Sequence, residues 1–299
     1  MVLDTKYKIR SVLPGGAKKS LGQHFLSSQK VVEKMVAAAE ISPADTILEV
    51  GPGLGILTKE LLASPAKQLI ACEKDRRLCV ALRQKFKSKR AKIICDDALL
   101  LIPSAHICSP FKVVANLPYN ISSPTLISLL TVCPTLPEAI VVMLQKEVAE
   151  RLICPPGSSN RGILTVLIEL FGKVKIIERV PRQLFYPPPQ VDSAVIKISG
   201  ISPLPFPARS ASSQPEAATS LQVGTADAGG PARSALKIIK FAFAGKRKKI
   251  KNSLFSALKI PPLEAQKIAA SCGITLDQRP EELNKTQWQK LISALYTKY

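Results

Sequence analysis

A chain of 299 residues with 46% hydrophobic side chains can bury the core of one large domain plus a smaller one. No apolar run approaches the roughly 18 residues of a membrane span, the strongest being the strand-sized Ala139 to Leu144, and a transmembrane protein is excluded. Lys and Arg number 42 against 22 Asp and Glu, a net charge of +20 that favours a polyanionic partner, nucleic acid first, over a merely soluble basic surface.

The opening stretch, MVLDTKYKIRSVLPGGAKKS, is basic but lacks the apolar core of a secretory signal, and its shortness and Asp4 fit an organellar transit peptide poorly. A cytoplasmic protein is expected. Gln23-His24-Phe25 reads as a loop entering a helix. From Thr46 onward, short apolar runs alternate with helical spacing: TILEV, then a helix from about Leu54; QLIAC, then a helix from Asp75; AKIIC, then a loop. FKVVA follows with a loop and helix, then EAIVVML with the helical QKEVAERLI. This alternation predicts βαβ units, a parallel sheet covered on both faces and an α/β fold. An apolar helical stretch, Gly162 to Phe171, precedes two strand-like runs, Lys173 to Val180 and Ser193 to Ser199, which can extend the sheet as a hairpin-like pair with one strand antiparallel.

From Gly200 to about Ala232, Pro, Ser, Ala and Gly dominate, with too few large apolar residues to bury, the composition of a flexible linker or surface insertion. Beyond it, ALKIIKFAFAGKRKKIKNSLFSALKI, PLEAQKIAASCGI and TQWQKLISALY carry helical spacing. The expected organisation is an α/β domain over 1–200, a linker over 201–232 and a small, basic, all-helical domain over 233–299. Seven cysteines (Cys72, Cys79, Cys95, Cys108, Cys133, Cys154, Cys272) without a C-x-x-C pair point to buried free thiols in a reducing compartment and to no metal site.

The first strand runs into Glu49-Val50-Gly51-Pro52-Gly53-Leu54-Gly55 at the entry of a helix. Glycines allow a tight turn with no side chain between backbone and ligand, and a helix N-terminus offers free amides. Position 56 is Ile, so the spacing is G-x-G-x-G and not the G-x-G-x-x-G of a dinucleotide site. It suits the nucleoside and amino-acid parts of S-adenosyl-L-methionine better than a pyrophosphate, although a tight β-to-α connection is the plainer alternative. The second strand ends in Glu73, 18 residues past Gly55, where a carboxylate can accept hydrogen bonds from both ribose hydroxyls. The third delivers Asp96 and Asp97 to the same edge as acceptors for an adenine amine. Spacing does not separate the two; Asp97 is preferred, and an Asp there also serves as an ordinary helix cap.

The fourth strand leaves through VVANLPYNIS and sets Asn116 beside the reactive group of a cofactor laid across the first three strand ends. An exocyclic adenine amine is a poor nucleophile because its lone pair is delocalised into the ring. Two acceptors aimed at its two hydrogens, the Asn116 side-chain oxygen and the Pro118 carbonyl, draw that nitrogen toward a tetrahedral shape and turn its lone pair at a sulfonium methyl. Tyr119 offers a face on which the base stacks. A strand-to-loop turn in which Asn and Pro do only backbone work is the competing explanation.

These residues resemble the KsgA/Dim family of ribosomal RNA adenine dimethyltransferases over most of the chain. KKSLGQHFL (18–26), ILEVGPGLGILT (47–58), NLPYNIS (116–122), MLQKEVAERL (143–152), FYPPPQVDSAV (185–195) and AFAGKRKKIKNSL (242–254) follow in the family's order. The resemblance implies a Rossmann-like class I methyltransferase sheet, mostly parallel with one antiparallel strand. It implies transfer of two methyl groups from S-adenosyl-L-methionine to each of two adjacent adenines in the hairpin near the 3′ end of small-subunit rRNA, with the pre-ribosomal small subunit as partner. Cofactor contacts carry over to His24, Leu26, Gly51, Glu73, Asp97 and Asn116. Catalysis carries over to Asn116, Leu117, Pro118 and Tyr119, with Phe185 as a second aromatic near the target base. A monomer is expected.

Position 24 is frequently Asn in relatives, and Gly245-Lys246-Arg247-Lys248-Lys249 stands where they usually carry paired arginines. Ala228 to Leu263 holds nine basic residues and no acid, and Lys74 to Lys92 nine against Asp75 alone, both candidates for phosphate contacts. Two other readings compete: a large-subunit rRNA methyltransferase of the antibiotic-resistance type, with an N-x-P-[YF] motif, and a non-catalytic RNA-binding assembly or transcription factor. The NLPY form and FYPPPQVDSAV argue against the first, the intact Gly51–Gly55 and Asn116–Tyr119 motifs against the second.

Overall fold

The computed structural model describes residues 13, 16–18, 21–104, 110–205, 230–245 and 247–296. Most of the basic N-terminal stretch, Cys108, most of the 201–232 segment and Lys246 lie outside the described residues. In chain order the elements begin β1 (Phe25–Leu26), α1 (Gln29–Ala39), β2 (Thr46–Val50), α2 (Ile56–Ala63), β3 (Gln68–Glu73), α3 (Arg76–Lys85) and β4 (Ala91–Cys95). They continue with α4 (Ala98–Leu101), β5 (Phe111–Asn116), α5 (Ser122–Thr131), β6 (Ala139–Gln145), α6 (Lys146–Leu152) and α7 (Ile163–Phe171). The last are β7 (Lys173–Val180), β8 (Phe185–Tyr186), β9 (Ser193–Ser199), α8 (Pro231–Ala242), α9 (Pro262–Cys272) and α10 (Lys285–Tyr296).

Seven strands make one sheet in the order β4-β3-β2-β5-β6-β9-β7. Strands β2 to β6 run parallel, and β9 is antiparallel to both of its neighbours, β6 and β7, so the expected mostly parallel sheet with one antiparallel strand is present. The central strands are near-continuous apolar runs, buried along almost their whole length, because helices cover both faces. At one edge, β7 exposes Lys173 and Lys175, charges that discourage pairing with another chain. Helix α1 starts at an N-cap, Ser28, whose hydroxyl accepts from the Val31 amide, and turns Val31, Val32, Met35 and Ala39 inward at helical spacing. These pack with Leu57 and Leu61 of α2 against Ile47, Leu69, Val114 and Val141 of the sheet, each buried aliphatic side chain contributing about 1.5–3 kcal/mol.

The strand order reverses between β2 and β5, the position at which open α/β sheets hold ligands at their carboxyl ends.

Several elements differ from expectation. Phe25 pairs with Tyr186 and Leu26 with Phe185, so β1 and β8 form a two-stranded antiparallel ribbon that includes Phe25, where a loop is anticipated. Two residues are too few for alternation to register. The loop after β4 contains the short helix α4, and α8 begins at Pro231, two residues inside the anticipated linker, with proline at a helix start. Cys79 on α3 and Cys95 at the end of β4 are joined by a disulfide, their Cα atoms 5.8 Å apart. That corrects the expectation of free thiols at these two positions: α3 returns the chain beside the next strand, a proximity that 16 residues of separation do not advertise. Cys72, Cys133 and Cys272 are free thiols.

The chain divides into two units, residues 1–153 with 172–202, and residues 154–171 with 203–299. Helix α7 thus clusters with the second unit, although in sequence it interrupts the first. In that unit α7, α8 and α10 pack on one another and α9 packs on α10. Trp288 is fully buried there and stacks on Phe243 with ring centroids 6.2 Å apart. Among the described residues no helix is long and apolar enough to cross a membrane.

Candidate active site

The turn from β2 into α2 carries Gly51, Gly53 and Gly55 at φ of 70°, 58° and 76°, backbone that L side chains rarely adopt. The Gly51 amide donates to the Cys72 carbonyl at 2.9 Å, fastening the turn to the end of β3. A Cβ at Gly51 would lie 3.1 Å from Pro118 Cδ, and one at Gly55 2.5 Å from Phe86. Glycine at 51 therefore lets the loop after β5 close onto the exit of β2.

Glu73 closes β3 in a buried position. Its two carboxylate oxygens accept from the amides of Gly53 at 3.2 Å and Asp75 at 2.8 Å, while burial pushes its pKa up. Glu49, on β2, is 1% exposed; burial raises it to about 8, opposed by a 2.8 Å bond from the Thr58 hydroxyl. Asp97, past the end of β4, is a helix cap as well as a cavity residue. One oxygen accepts from the Leu99 amide at 2.9 Å and the other pairs with Lys74 at 2.7 Å, and the Lys74 bond leads the causes that lower its pKa. Asp96 lines the same cavity and accepts from the Asp97 amide at 2.7 Å.

Asn116 ends β5, with its backbone paired to Met143 of β6. Among the described residues its carboxamide has no hydrogen-bond partner, which leaves its oxygen available. Leu117 is buried and anchors the loop. The Pro118 carbonyl accepts from the Ile121 amide at 3.1 Å, one of its two lone pairs. The Tyr119 hydroxyl lies 2.6 Å from that of Ser193, and burial raises its pKa.

His24 stacks on Tyr119, ring centroids 5.7 Å apart and planes at 30°. Its Nδ1 sits 2.7 Å from the Pro187 carbonyl, which can only accept, so Nδ1 carries the hydrogen. Phe185 is 1% exposed and packs in the core with Leu26 and Met35 while also lining the cavity. All ten residues anticipated from sequence, His24, Leu26, Gly51, Glu73, Asp97, Asn116, Leu117, Pro118, Tyr119 and Phe185, line one cavity. Sequence reasoning passed over Glu49, which stands two residues before Gly51 and lines the cavity too, and Ser193, which sits in the quoted FYPPPQVDSAV motif.

The basic runs are less available than their sequences indicate. Of the nine cations in Lys74 to Lys92, five are engaged within the fold: Lys74 with Asp97, Arg77 with Asp75, Arg83 with the Ile93 carbonyl, Lys85 with the Leu54 carbonyl, and Arg90 with three carbonyls at the end of α2. Lys249 and Lys251 both pair with Asp277, at 3.0 and 2.8 Å, holding that carboxyl at about 2.

A family model described as ribosomal RNA adenine dimethylase matches residues 16–212. The chain is 37% identical over 284 residues to the Ribosomal RNA small subunit methyltransferase A of Dehalococcoides mccartyi, covering 94% of this chain and 89% of that protein. It is 38% identical over 284 residues to the protein of that name from Prochlorococcus marinus, covering 93% and 90%. Among solved structures, a dimethyladenosine transferase from Plasmodium falciparum superposes with a TM-score of 0.67 at 23% identity, over 92% of this chain and 98% of that one. The 23S rRNA methyltransferase ErmE superposes with a TM-score of 0.61 at 25% identity, over 91% and 99%.

Proposed function

Because the chain belongs to the ribosomal RNA adenine dimethylase family, we propose that it dimethylates the exocyclic amines of two adjacent adenines in the 3′-terminal hairpin of small-subunit rRNA, with S-adenosyl-L-methionine as methyl donor, during small-subunit assembly. The observation that carries this reading is the Asn116 carboxamide, without a hydrogen-bond partner among the described residues, at the switch point of the sheet and in one cavity with Glu73, Asp97 and Tyr119.

The residues present fit the donor. Glu73 has lone pairs left for ribose hydroxyls after its two amide bonds, Asp96 and Asp97 line the cavity as acceptors that would suit an adenine amine, and the Gly51–Gly55 turn has backbone with no side chain projecting. When bound, S-adenosyl-L-methionine supplies an electrophilic methyl carbon on a sulfonium. The chain's own task is to make the amine nucleophilic. The Asn116 oxygen accepts one N–H and the Pro118 carbonyl accepts the other through its second lone pair, which withdraws the nitrogen lone pair from the ring. Tyr119 provides the stacking face for a base turned out of its helix. No strong general base is required, since an alkylated amine sheds its proton readily.

Relatives at 37–38% identity that carry the small-subunit name favour that substrate over the large subunit, a choice that fold likeness alone does not make. The proposed setting is the cytoplasm, as a monomer on the pre-ribosomal particle; the Cys79–Cys95 bridge runs against a fully reducing compartment. The test is incubation of undermethylated small subunits and, in parallel, large subunits with labelled donor, followed by mapping of the label. Label on two adjacent adenines of the 3′ hairpin supports the reading; label confined to large-subunit RNA, or none, overturns it.

A further inference from the structure

Tyr119 is held by the rest of the chain from two directions. Its hydroxyl meets that of Ser193 at 2.6 Å, and Ser193 is the fully buried first residue of β9, paired to Gln145 of β6 and Val180 of β7. The far end of the ring is thereby tied to the interior of the sheet, at a residue paired on both sides. On one face lies the His24 ring, itself fixed by its bond to the Pro187 carbonyl. Centroids 5.7 Å apart leave no space for a purine between the two rings, so one face of Tyr119 is taken and the other is left for a base.

We propose that Ser193 is a positioning residue for Tyr119: its hydroxyl fixes the tilt of the ring, and His24 decides which face the base meets. The inference rests on the reading of Tyr119 as the stacking platform. Ser193 itself touches neither substrate nor donor. Its effect is on geometry. A base laid on a ring of fixed tilt reaches the Asn116 oxygen and the Pro118 carbonyl already aligned, whereas a ring free to rock presents its amine over a range of angles, of which few are productive.

The test uses the full chain and undermethylated small subunits, with wild type, Ser193→Ala, Tyr119→Phe and the double variant. Ser193→Ala is expected to lower kcat roughly 10- to 100-fold, while KM for the subunit and Kd for S-adenosyl-L-methionine stay within about twofold. Tyr119→Phe should lose about as much, and the double variant no more than either single one, because all three remove the same bond. Melting temperature supplies an independent reading. Each single variant strands a hydroxyl and melts earlier, and the double variant recovers part of the loss.

A purely structural bond would move the melting temperatures and leave kcat per folded molecule unchanged, which overturns the proposal, as do additive losses in kcat. Should Ser193→Ala not fold, Tyr119→Phe reports on the same bond. If wild type places no label on the subunits, the functional reading fails and this inference with it. If wild type labels them and both single variants turn over undiminished, this inference alone fails.

Discussion

Glu49 offers a quantitative check on the electrostatics of the cavity. It sits on β2 at 1% exposure, and burial, with repulsion from Glu73 added, raises its carboxyl to about 8 against the bond from Thr58. The gap from the ordinary 4.5 to about 8 corresponds to about 5 kcal/mol, at about 1.4 kcal/mol per pH unit. The folded chain keeps a proton that the unfolded chain releases near pH 4.5, so this stabilisation is complete below that pH. It is lost steadily as pH rises and is gone above about 8. Glu49→Gln keeps the shape and an acceptor for the Thr58 hydroxyl but cannot ionise. Urea unfolding should therefore give similar stabilities for the two proteins at pH 4.5 and a widening gap above it. By pH 8 the Gln variant should be the more stable by several kcal/mol, with about 5 kcal/mol as the ceiling. Parallel stability curves from pH 4.5 to 8 would refute the reasoning.

Asn116→Ala should lower kcat by roughly 100- to 1,000-fold, the scale of losing one aligned polar group, with Kd for the rRNA within about twofold; unchanged turnover sinks the assignment. Arg247→Glu with Lys248→Glu should weaken rRNA binding and flatten its salt dependence by about one to two in slope, measured by titration across salt concentrations. The same reversal at Lys249 and Lys251 should do less, since both already pair with Asp277. Alkylation followed by mass spectrometry should leave Cys79 and Cys95 unmodified until a reductant is added, and reduction should lower stability by about 3 kcal/mol, the loop-entropy figure for a span of about 15 residues.

Much of the site was readable because it is built from local motifs at strand ends. An apolar run followed by a glycine turn, an acid or an Asn-Pro pair announces both the strand and its edge, and β2, β3, β4 and β5 deliver Gly51, Glu73, Asp97 and Asn116 to one cavity. What escaped was tertiary. Gly51 reads as room for a ligand, yet its missing Cβ also makes room for Pro118. The charge of Lys74 to Lys92 looks like a phosphate-binding surface, yet Arg90 and Arg83 spend their guanidinium groups on backbone carbonyls, which no count of signs can reveal. Cys79 and Cys95 lie on a helix and the following strand, and only the packing of one on the other brings their sulfurs together. Ser193 looks like an unremarkable strand start until Tyr119 is seen to reach it.

The ribbon of β1 and β8 has a consequence for how a functional copy comes into being. His24 meets Pro187 across 163 residues, and Ser27 bonds Leu184 through both its amide and its hydroxyl. At about 5–20 residues per second, a ribosome needs about 10–30 s to travel from one side of that seam to the other. Late in that interval the glycine turn and the Asn-Leu-Pro-Tyr corner have been synthesised, but the flank that pins the histidine has not. A half-made chain thus carries the corner without the seam that holds His24 against Tyr119.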